Sequence, residues 1–200
     1  ENGIKYIKQD GSVGYYQTVN KTTPVAGDVK YVDRNGDGVV DDNDRDIIGN
    51  PNPDFTYGFQ TKVSWKSLSL SASFNGVQGR DILNVGNRYN NTPGTKSNNV
   101  TRKAFQNMWT DENPSNLYPK STFVVQNMVM DRYVEDGSYL RCSDITLSYV
   151  LPAKWTNKIG IKNTSVYASV KNAFVITDYS GYDPEVNSFA FDGLRPGVDM

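Results

Sequence analysis

The sequence predicts an all-β fold, an antiparallel transmembrane β-barrel of which this chain supplies a part. Three observations lead to this prediction. Long segments alternate strictly between apolar and polar residues, as expected for strands with one apolar and one polar face. Short turns alternate with long polar connections, as in outer-membrane barrels. No apolar run approaches the roughly 18 residues that a membrane-spanning helix needs.

The composition narrows the classes of function. Hydrophobic residues make up 37% of the 200 residues and 13 residues are Tyr, a mixture that suits half-buried strands. The 21 basic and 22 acidic residues leave a net charge of −1, so we expect no nucleic-acid partner. The single cysteine, Cys142, excludes an internal disulfide framework, and because histidine is absent any metal must be held by oxygen.

The clearest pair of strands lies at residues 55–65 and 68–78. Apolar side chains occupy alternate positions, which place them on one face of each strand: Phe55, Tyr57, Phe59, Val63 and Trp65 in the first, and Leu68, Leu70, Ala72 and Phe74 in the second. Only Lys66 and Ser67 separate the segments, which predicts an antiparallel hairpin. At about 3.3 Å per residue and a tilt of about 40°, each strand spans about 27 Å, close to the apolar band of an outer-membrane barrel.

A second pair of strands is predicted at residues 138–151 and 164–177, joined by a short turn. Residues 1–32 precede the barrel strands with a short hairpin around Asp10–Gly11 and a connector. Residues 79–130 lose the alternation and are rich in asparagine, and helical spacing at Ala104, Phe105, Met108 and Trp109 suffices for a turn or two. We therefore expect residues 79–130, within the strand-bearing part 55–200, to form a long extracellular loop.

An acidic loop at residues 33–54 precedes the first long strand. Its beginning matches the twelve-residue calcium loop, in which oxygen ligands recur at set positions and a glycine at position 6 permits a sharp turn. The candidate Ca²⁺ ligands are Asp33, Asn35, Asp37, Val39 through its carbonyl, Asp41 and Asp44. Position 12 carries Asp44 where Glu is usual, and flanking helices are missing. The alternative is therefore an acidic extracellular turn that binds no ion.

Three aromatic residues of the long loop are candidates for ligand binding. They are Tyr89, Trp109 and Tyr118. Aromatic faces can stack on sugar rings, with neighbouring asparagine amides supplying hydrogen bonds. The competing interpretation is that Trp109 packs its short helix onto the barrel wall.

No constellation of residues points to catalysis, so the chain is not predicted to be an enzyme. Two pairs of acidic residues stand close together in predicted loops, Glu135 with Asp136 and Asp183 with Glu185. Neighbours in a loop rarely face one substrate, and we interpret these carboxylates as solvated turn residues.

Five segments form a recognisable set. They are 49–59 (GNPNPDFTYGF), 109–115 (WTDENPS), 135–141 (EDGSYLR), 145–152 (ITLSYVLP) and 179–185 (YSGYDPE). In this order they resemble the C-terminal part of the barrel of SusC/RagA-type TonB-linked outer-membrane proteins of Bacteroidetes-like Gram-negative bacteria. Cys142 departs from the pattern, since an ordinary apolar residue is expected at its position.

The resemblance implies a barrel of about 22 strands, of which this chain would carry about four to six. It further implies import of oligosaccharides, or of peptides in some members, at the cell outer membrane. The implied partners are a SusD-like surface lipoprotein, the ligand, outer-membrane lipid, and a TonB complex that would act through a plug and N-terminal part lying outside this stretch.

A soluble, calcium-stabilised β-sandwich that binds carbohydrate is the alternative. A sandwich must bury its apolar strand faces against each other, whereas a piece of a barrel leaves them for lipid. Exposure of the apolar face therefore distinguishes the two hypotheses.

Overall fold

The computed structural model describes residues 5–7, 10–15, 24–92, 99–121, 129–161 and 164–185. The chain divides into two compact units, the first made of residues 1–48 and 84–133 and the second of residues 49–83 and 134–200. The stretches 93–98, 122–128 and 186–200 of the predicted loop and strand regions lie outside the described residues. In the described part of the chain, no helix is both long and apolar enough to cross a membrane.

The first unit contains short elements. Strands β1 (Lys5–Ile7) and β2 (Val13–Tyr15) pair antiparallel around Gly11, whose φ of +80° a glycine adopts readily. The pairing lies where the sequence indicates a hairpin. Two helices follow later in the chain, α1 (Val85–Asn90) and α2 (Arg102–Asn107), and 3₁₀ turns lie at Asp42–Asp44 and Asp131–Tyr133.

The second unit is built on a four-stranded antiparallel sheet, as far as the described residues show. Its strands, in order across the sheet, are β3 (Phe55–Trp65), β4 (Leu68–Gln78), β7 (Tyr139–Val150) and β8 (Ser165–Thr177). Between β4 and β7 in sequence, β5 (Asp81–Leu83) pairs with β6 (Val134–Asp136). Helix α3 (Ala153–Thr156) and a 3₁₀ turn at Asn157–Ile159 occupy the predicted turn between β7 and β8.

The register of the sheet follows the predicted alternation. Trp65 lies opposite Leu68 across a two-residue turn, in which Lys66 has a φ of +53°. The apolar rows continue across the sheet, for example from Val63 to Leu70 and Leu147. The four long strands begin and end within one residue of the predicted bounds.

The apolar face of this sheet is exposed. Phe59, Val63 and Trp65 on β3 expose 51%, 63% and 69% of their surface, and Val170 on β8 exposes 57%. A soluble sandwich would bury these side chains, whereas a barrel presents them to lipid. The exposure agrees with the predicted barrel and contradicts the sandwich alternative.

The opposite face of the sheet is polar. Ser64 and Ser69 face each other with their hydroxyl oxygens 2.9 Å apart, and Asp144 lies opposite Lys171. Outer-membrane barrels place such faces towards a polar interior. The sheet therefore separates an apolar side from a polar side along its whole length.

Residues 79–130 contain more regular structure than the turn or two of helix that the sequence indicates. The loop contains β5 and α1 as well as α2, because its asparagine and threonine side chains cap helices. Asn84 Oδ1 accepts a hydrogen bond from Asn87 N at 2.8 Å, and Thr101 Oγ1 accepts one from Ala104 N at 3.2 Å. Helix α2 ends at Asn107, so Trp109 lies in an extended segment and not in the predicted helix.

Candidate functional site

The candidate functional site is a groove of about 1190 Å³ in the first unit. Two of the three predicted ligand-binding aromatics, Trp109 and Tyr118, line this groove together with Tyr31. The third, Tyr89, is not among its lining residues. Tyr89 belongs to α1, where the guanidinium carbon of Arg88 lies 5.5 Å from the centre of its ring.

Backbone hydrogen bonds bring the distant parts of the groove together. Trp109 N donates to the carbonyl oxygen of Tyr118 at 3.1 Å, beside a parallel bridge between Met108 and Tyr118. Lys120 N donates to the carbonyl oxygen of Gly27 at 2.9 Å. Three separate stretches of chain therefore run side by side here, and they fix where Trp109 and Tyr118 stand.

A glycine seats the indole ring of Trp109. Gly27 has a φ of +84°, and a Cβ atom added to it would lie 2.5 Å from Cε3 of Trp109. The ring thus packs directly onto the backbone of residue 27. Part of the surface of Trp109 serves packing, as the competing interpretation proposed, although its partner is this loop segment of the first unit.

An ion pair lies beside Gly27 in the first unit. Lys120 Nζ lies 3.0 Å from Asp28 Oδ1, with side-chain exposures of 22% and 16%. The other carboxylate oxygen, Oδ2, accepts a hydrogen bond from Val25 N at 2.9 Å. Because both charges are largely removed from water, loss of one partner would leave the other poorly compensated.

Tyr31 places a buried hydroxyl beside the groove. Its oxygen is inaccessible to solvent and has no hydrogen-bond partner among the described residues. Burial raises the pKa of Tyr31, and the neighbouring Tyr133 and Asp28 add to this shift while Arg88 opposes it. The hydroxyl therefore stays protonated near neutral pH, closed off from solvent beneath the groove.

The acidic loop reaches the same groove. Asp41, Asp42 and Asp44 line it together with Trp109 and Tyr118, although these two sets of residues lie far apart in the sequence. The structure thus joins two features that the sequence presents separately, the calcium-like loop and the aromatic pair.

Side-chain oxygens fold the acidic loop onto its own backbone. The two oxygens of Asp33 accept hydrogen bonds from Gly36 N and Gly38 N, each at 2.7 Å. Asp37 Oδ1 accepts one from Val39 N at 2.8 Å. The glycines have φ values of +74° and +87°, so the sharp turn expected around position 6 is present.

The end of the loop is closed by Asp44. Its carboxylate accepts hydrogen bonds from Arg34 N and Asp41 N, both at 2.8 Å. Slight burial raises the pKa of Asp44, but these bonds and a longer one from Asn35 N outweigh that effect and lower it below its ordinary value. Among the described residues there is no group of three or more Asp, Glu, His or Cys side chains arranged to hold a metal ion.

Sequence reasoning missed the residues that support the groove. The sequence indicates only a connector at Gly27 and Asp28, and no pattern singles out Tyr31. Their partners, Trp109 and Lys120, lie more than eighty residues away in the chain. The Gly27–Asp28 pair was the available signal, because glycine is favoured where φ is positive and aspartate where a side chain must accept from the backbone.

Relatives among characterised sequences point to one family. The chain is 34% identical over 175 residues to the TonB-dependent receptor P26 of Formosa agariphila, covering 85% of this chain and 17% of that protein. It is also 34% identical over 165 residues to the TonB-dependent receptor SusC of Bacteroides thetaiotaomicron, covering 79% of this chain and 15% of SusC. No protein-family model matches the chain.

Solved structures agree with these relatives. The RagAB peptide importer in its closed-closed state matches with a TM-score of 0.61 and 26% identity, covering 90% of this chain and 18% of that chain. Its open-open state matches with a TM-score of 0.60 and 28% identity, covering 92% and 19%. The chain thus spans less than a fifth of the length of each of these proteins. Sequence and fold together establish that the chain belongs to the SusC/RagA-type TonB-dependent receptors of the bacterial outer membrane, and that its four-stranded sheet is part of their β-barrel.

Proposed function

We propose that the receptor containing this segment imports oligosaccharides or peptides across the outer membrane. In this proposal a SusD-like surface lipoprotein captures the ligand with the receptor, and a TonB complex supplies the energy. The observation that carries the proposal is the similarity to SusC and to the RagAB peptide importer, which extends over 79% and 90% of the chain.

The proposed orientation follows from the lengths of the connections. The turn between β3 and β4 consists of Lys66 and Ser67, whereas the connection that leaves the other end of β4 runs to β7 across more than fifty residues. Outer-membrane barrels carry short turns on the periplasmic side and long loops outside. We therefore propose that residues 33–54 and 79–130 lie on the extracellular side.

The groove is proposed to be a surface that contacts the ligand. Trp109 and Tyr118 offer aromatic faces, and the acidic loop lines the same groove with the carboxylates of Asp41, Asp42 and Asp44. Apolar faces with a few placed polar groups are typical of small-ligand sites. Trp109→Ala in the full-length receptor should therefore weaken ligand binding. Trp155→Ala, which removes an indole that is 62% exposed in the second unit, is the matched control.

We also propose that Ca²⁺ binds the acidic loop and stabilises its fold. The ion would be held by oxygens of Asp33, Asn35, Asp37, Val39, Asp41 and Asp44. The ligand spacing and the positive φ values at Gly36 and Gly38 support this proposal. In the residues described, the carboxylates bond to the backbone instead of converging, so binding requires some of these bonds to be exchanged for the ion.

Calorimetry on the full-length receptor tests the calcium proposal. Asp37→Ala should lose the heat of Ca²⁺ binding that the parent gives. Asp42→Ala should keep it, because Asp42 is not a proposed ligand and forms an exposed pair with Arg45 at 2.8 Å. Equal heats for the parent and Asp37→Ala would show that the ion does not bind here.

Uptake by cells tests the transport proposal. Cells that lack the receptor gene should fail to accumulate fluorescent oligosaccharides or peptides of its ligand class, and the restored gene should recover accumulation. Disruption of TonB should abolish uptake while surface binding persists. A tagged receptor should also copurify with a surface lipoprotein. Undiminished accumulation of every tested oligosaccharide and peptide in the deletion strain would contradict the proposal.

A further inference from the structure

Residues 178–185, which we call the strap, follow β8 and return along the polar face of the sheet. Pro184 is fully buried, whereas Tyr182 is 88% exposed. The strap contacts Asn75 of β4 and Arg141 of β7, two residues that lie opposite each other in the sheet. The strap therefore covers the polar face of the sheet at Asn75 and Arg141.

Arg141 makes the charged contacts of the strap. Its Nη2 donates to Asp183 Oδ1 at 2.6 Å, and its Nε lies 3.2 Å from Glu185 Oε1, close enough for an ion pair although not directed as a hydrogen bond. The three side chains are only 9%, 16% and 23% exposed. The interpretation of Asp183 and Glu185 as solvated turn carboxylates was therefore wrong, because a charged partner on the sheet removes them from water.

Further contacts hold the two ends of the strap. Near its beginning, the backbone N–H and hydroxyl of Ser180 donate to the Glu135 carboxylate at 2.8 and 2.9 Å. Near its end, Arg80 donates to the carbonyl oxygen of Pro184 and the Asn75 amide donates to Glu185 at 3.2 Å. Burial, reinforced by the Glu135 charge, raises the pKa of Tyr179, which lies beside Ser180.

We propose that the strap is a charge-held latch on the lumenal wall of the barrel and that Arg141 keeps it closed. Polar sheet faces line the interior of outer-membrane barrels, so the strap narrows the lumen where it lies. A largely buried guanidinium holds two carboxylates of one short segment, and charge-assisted hydrogen bonds of this kind are stronger than neutral ones. Removal of the strap charges should therefore release residues 178–185 from the wall of the barrel. A rearrangement inside the lumen that broke the same contacts would displace them as well.

Spin labelling of the full-length receptor tests the latch. A nitroxide on Tyr182→Cys reports motion of the strap, because this side chain is exposed while the backbone around it is held. Cys142 is completely buried, and the receptor without the added cysteine gives the background signal. Asp183→Asn and Arg141→Gln should each raise the ratio of mobile to immobile label about tenfold or more.

A matched control and a double variant sharpen this test. Arg45→Gln removes an arginine from an exposed pair with Asp42, 77% and 82% exposed, and should leave the label immobile. The double variant should be no more mobile than Arg141→Gln alone, since Arg141→Gln already removes the contact with Asp183 as well as the ion pair with Glu185. Heat-modifiable migration in gels verifies that the barrel of each variant is folded. If Arg141→Gln misfolds, the label mobility of Asp183→Asn alone tests the proposal. An immobile label in folded Asp183→Asn would overturn the latch, whichever ligand the receptor imports.

Discussion

The indole of Trp109 rests on the backbone of Gly27, which lies more than eighty residues earlier in the chain. No other residue type fits at position 27 without change, because φ is +84° and a Cβ would lie 2.5 Å from the ring. The position of Trp109 in the groove therefore depends on a glycine that carries no chemistry of its own.

Gly27→Ala is expected to displace Trp109 and open the groove. The left-handed backbone conformation costs a non-glycine residue about 1 kcal/mol, and the collision with the ring adds about 1–3 kcal/mol. Limited proteolysis of the full-length receptor, with cleavage mapped between residues 99 and 121, should show faster cutting of this loop and weaker ligand binding.

Gly160→Ala is the control for backbone strain alone. Gly160 has a φ of +72°, but nothing lies within 4 Å of an added Cβ. This variant should lose about 1 kcal/mol locally and leave cleavage between residues 99 and 121 unchanged. If Gly27→Ala proved as resistant to protease as Gly160→Ala, the ring would not rest on residue 27 as described.

Cys142 is buried where the sequence pattern calls for a larger apolar residue. It is completely buried in β7, between Phe74 and Phe174 in the register, and those two rings approach edge to face at 6.4 Å. Cys142→Ala should therefore cost about 1 kcal/mol, whereas Cys142→Leu should force the rings apart and cost about 1–3 kcal/mol. The temperature at which the barrel unfolds in gel-shift assays measures both, and a Leu variant as stable as the parent would refute this account.

The sheet was predictable from the sequence because one short-range pattern determines it. Alternation with a period of two assigns each residue of β3 and β4 to a face, and the two-residue turn at Lys66 and Ser67 then sets the register. The bulge near Ser143 shifts the pairing of β7 with β4 and β8. Both neighbouring strands nevertheless keep their apolar residues, such as Phe74 and Phe174, on the same face of the sheet.

The groove and the strap could not be predicted in the same way. Their contacts join residues far apart in the chain, such as Gly27 with Lys120 and Asn75 with Glu185, and no local period marks such pairs. Asp183 and Glu185 stand close together in the sequence, but their partner Arg141 lies on a strand whose alternation indicates only which face it occupies. Ca²⁺ binding by the acidic loop stays a prediction.

Acidification should open the acidic loop through Asp44. The pKa of Asp44 is lower in the folded chain than in the unfolded chain, so its ionised form stabilises the loop above the unfolded value of about 3.9. That stabilisation is lost as the pH falls through the lower, folded value. Hydrogen exchange of residues 33–45 in the full-length receptor, corrected for intrinsic rates, should show protection falling between pH 6 and pH 3.

The variant Asp44→Asn separates this effect from general acid unfolding. It should be less protected at pH 6 than the parent and should lose less protection on acidification. Asp42→Asn serves as the control, since Asp42 lies in the same turn with an 82% exposed side chain. Identical pH profiles for the parent and Asp44→Asn would mean that another group closes the loop.

Gly76 should be the strand residue least tolerant of a side chain. An added Cβ would collide with the ring of Tyr57 and lie 2.8 Å from the carbonyl oxygen of Tyr139 in the neighbouring strand. The ring can move, but the carbonyl belongs to the β4–β7 ladder. Gly76→Ala should thus lower the unfolding temperature of the full-length receptor, by an amount corresponding to about 1–3 kcal/mol. Gly58→Ala, whose Cβ would approach Phe74 O at 3.3 Å, should lose less, and a reversed order would contradict the described packing.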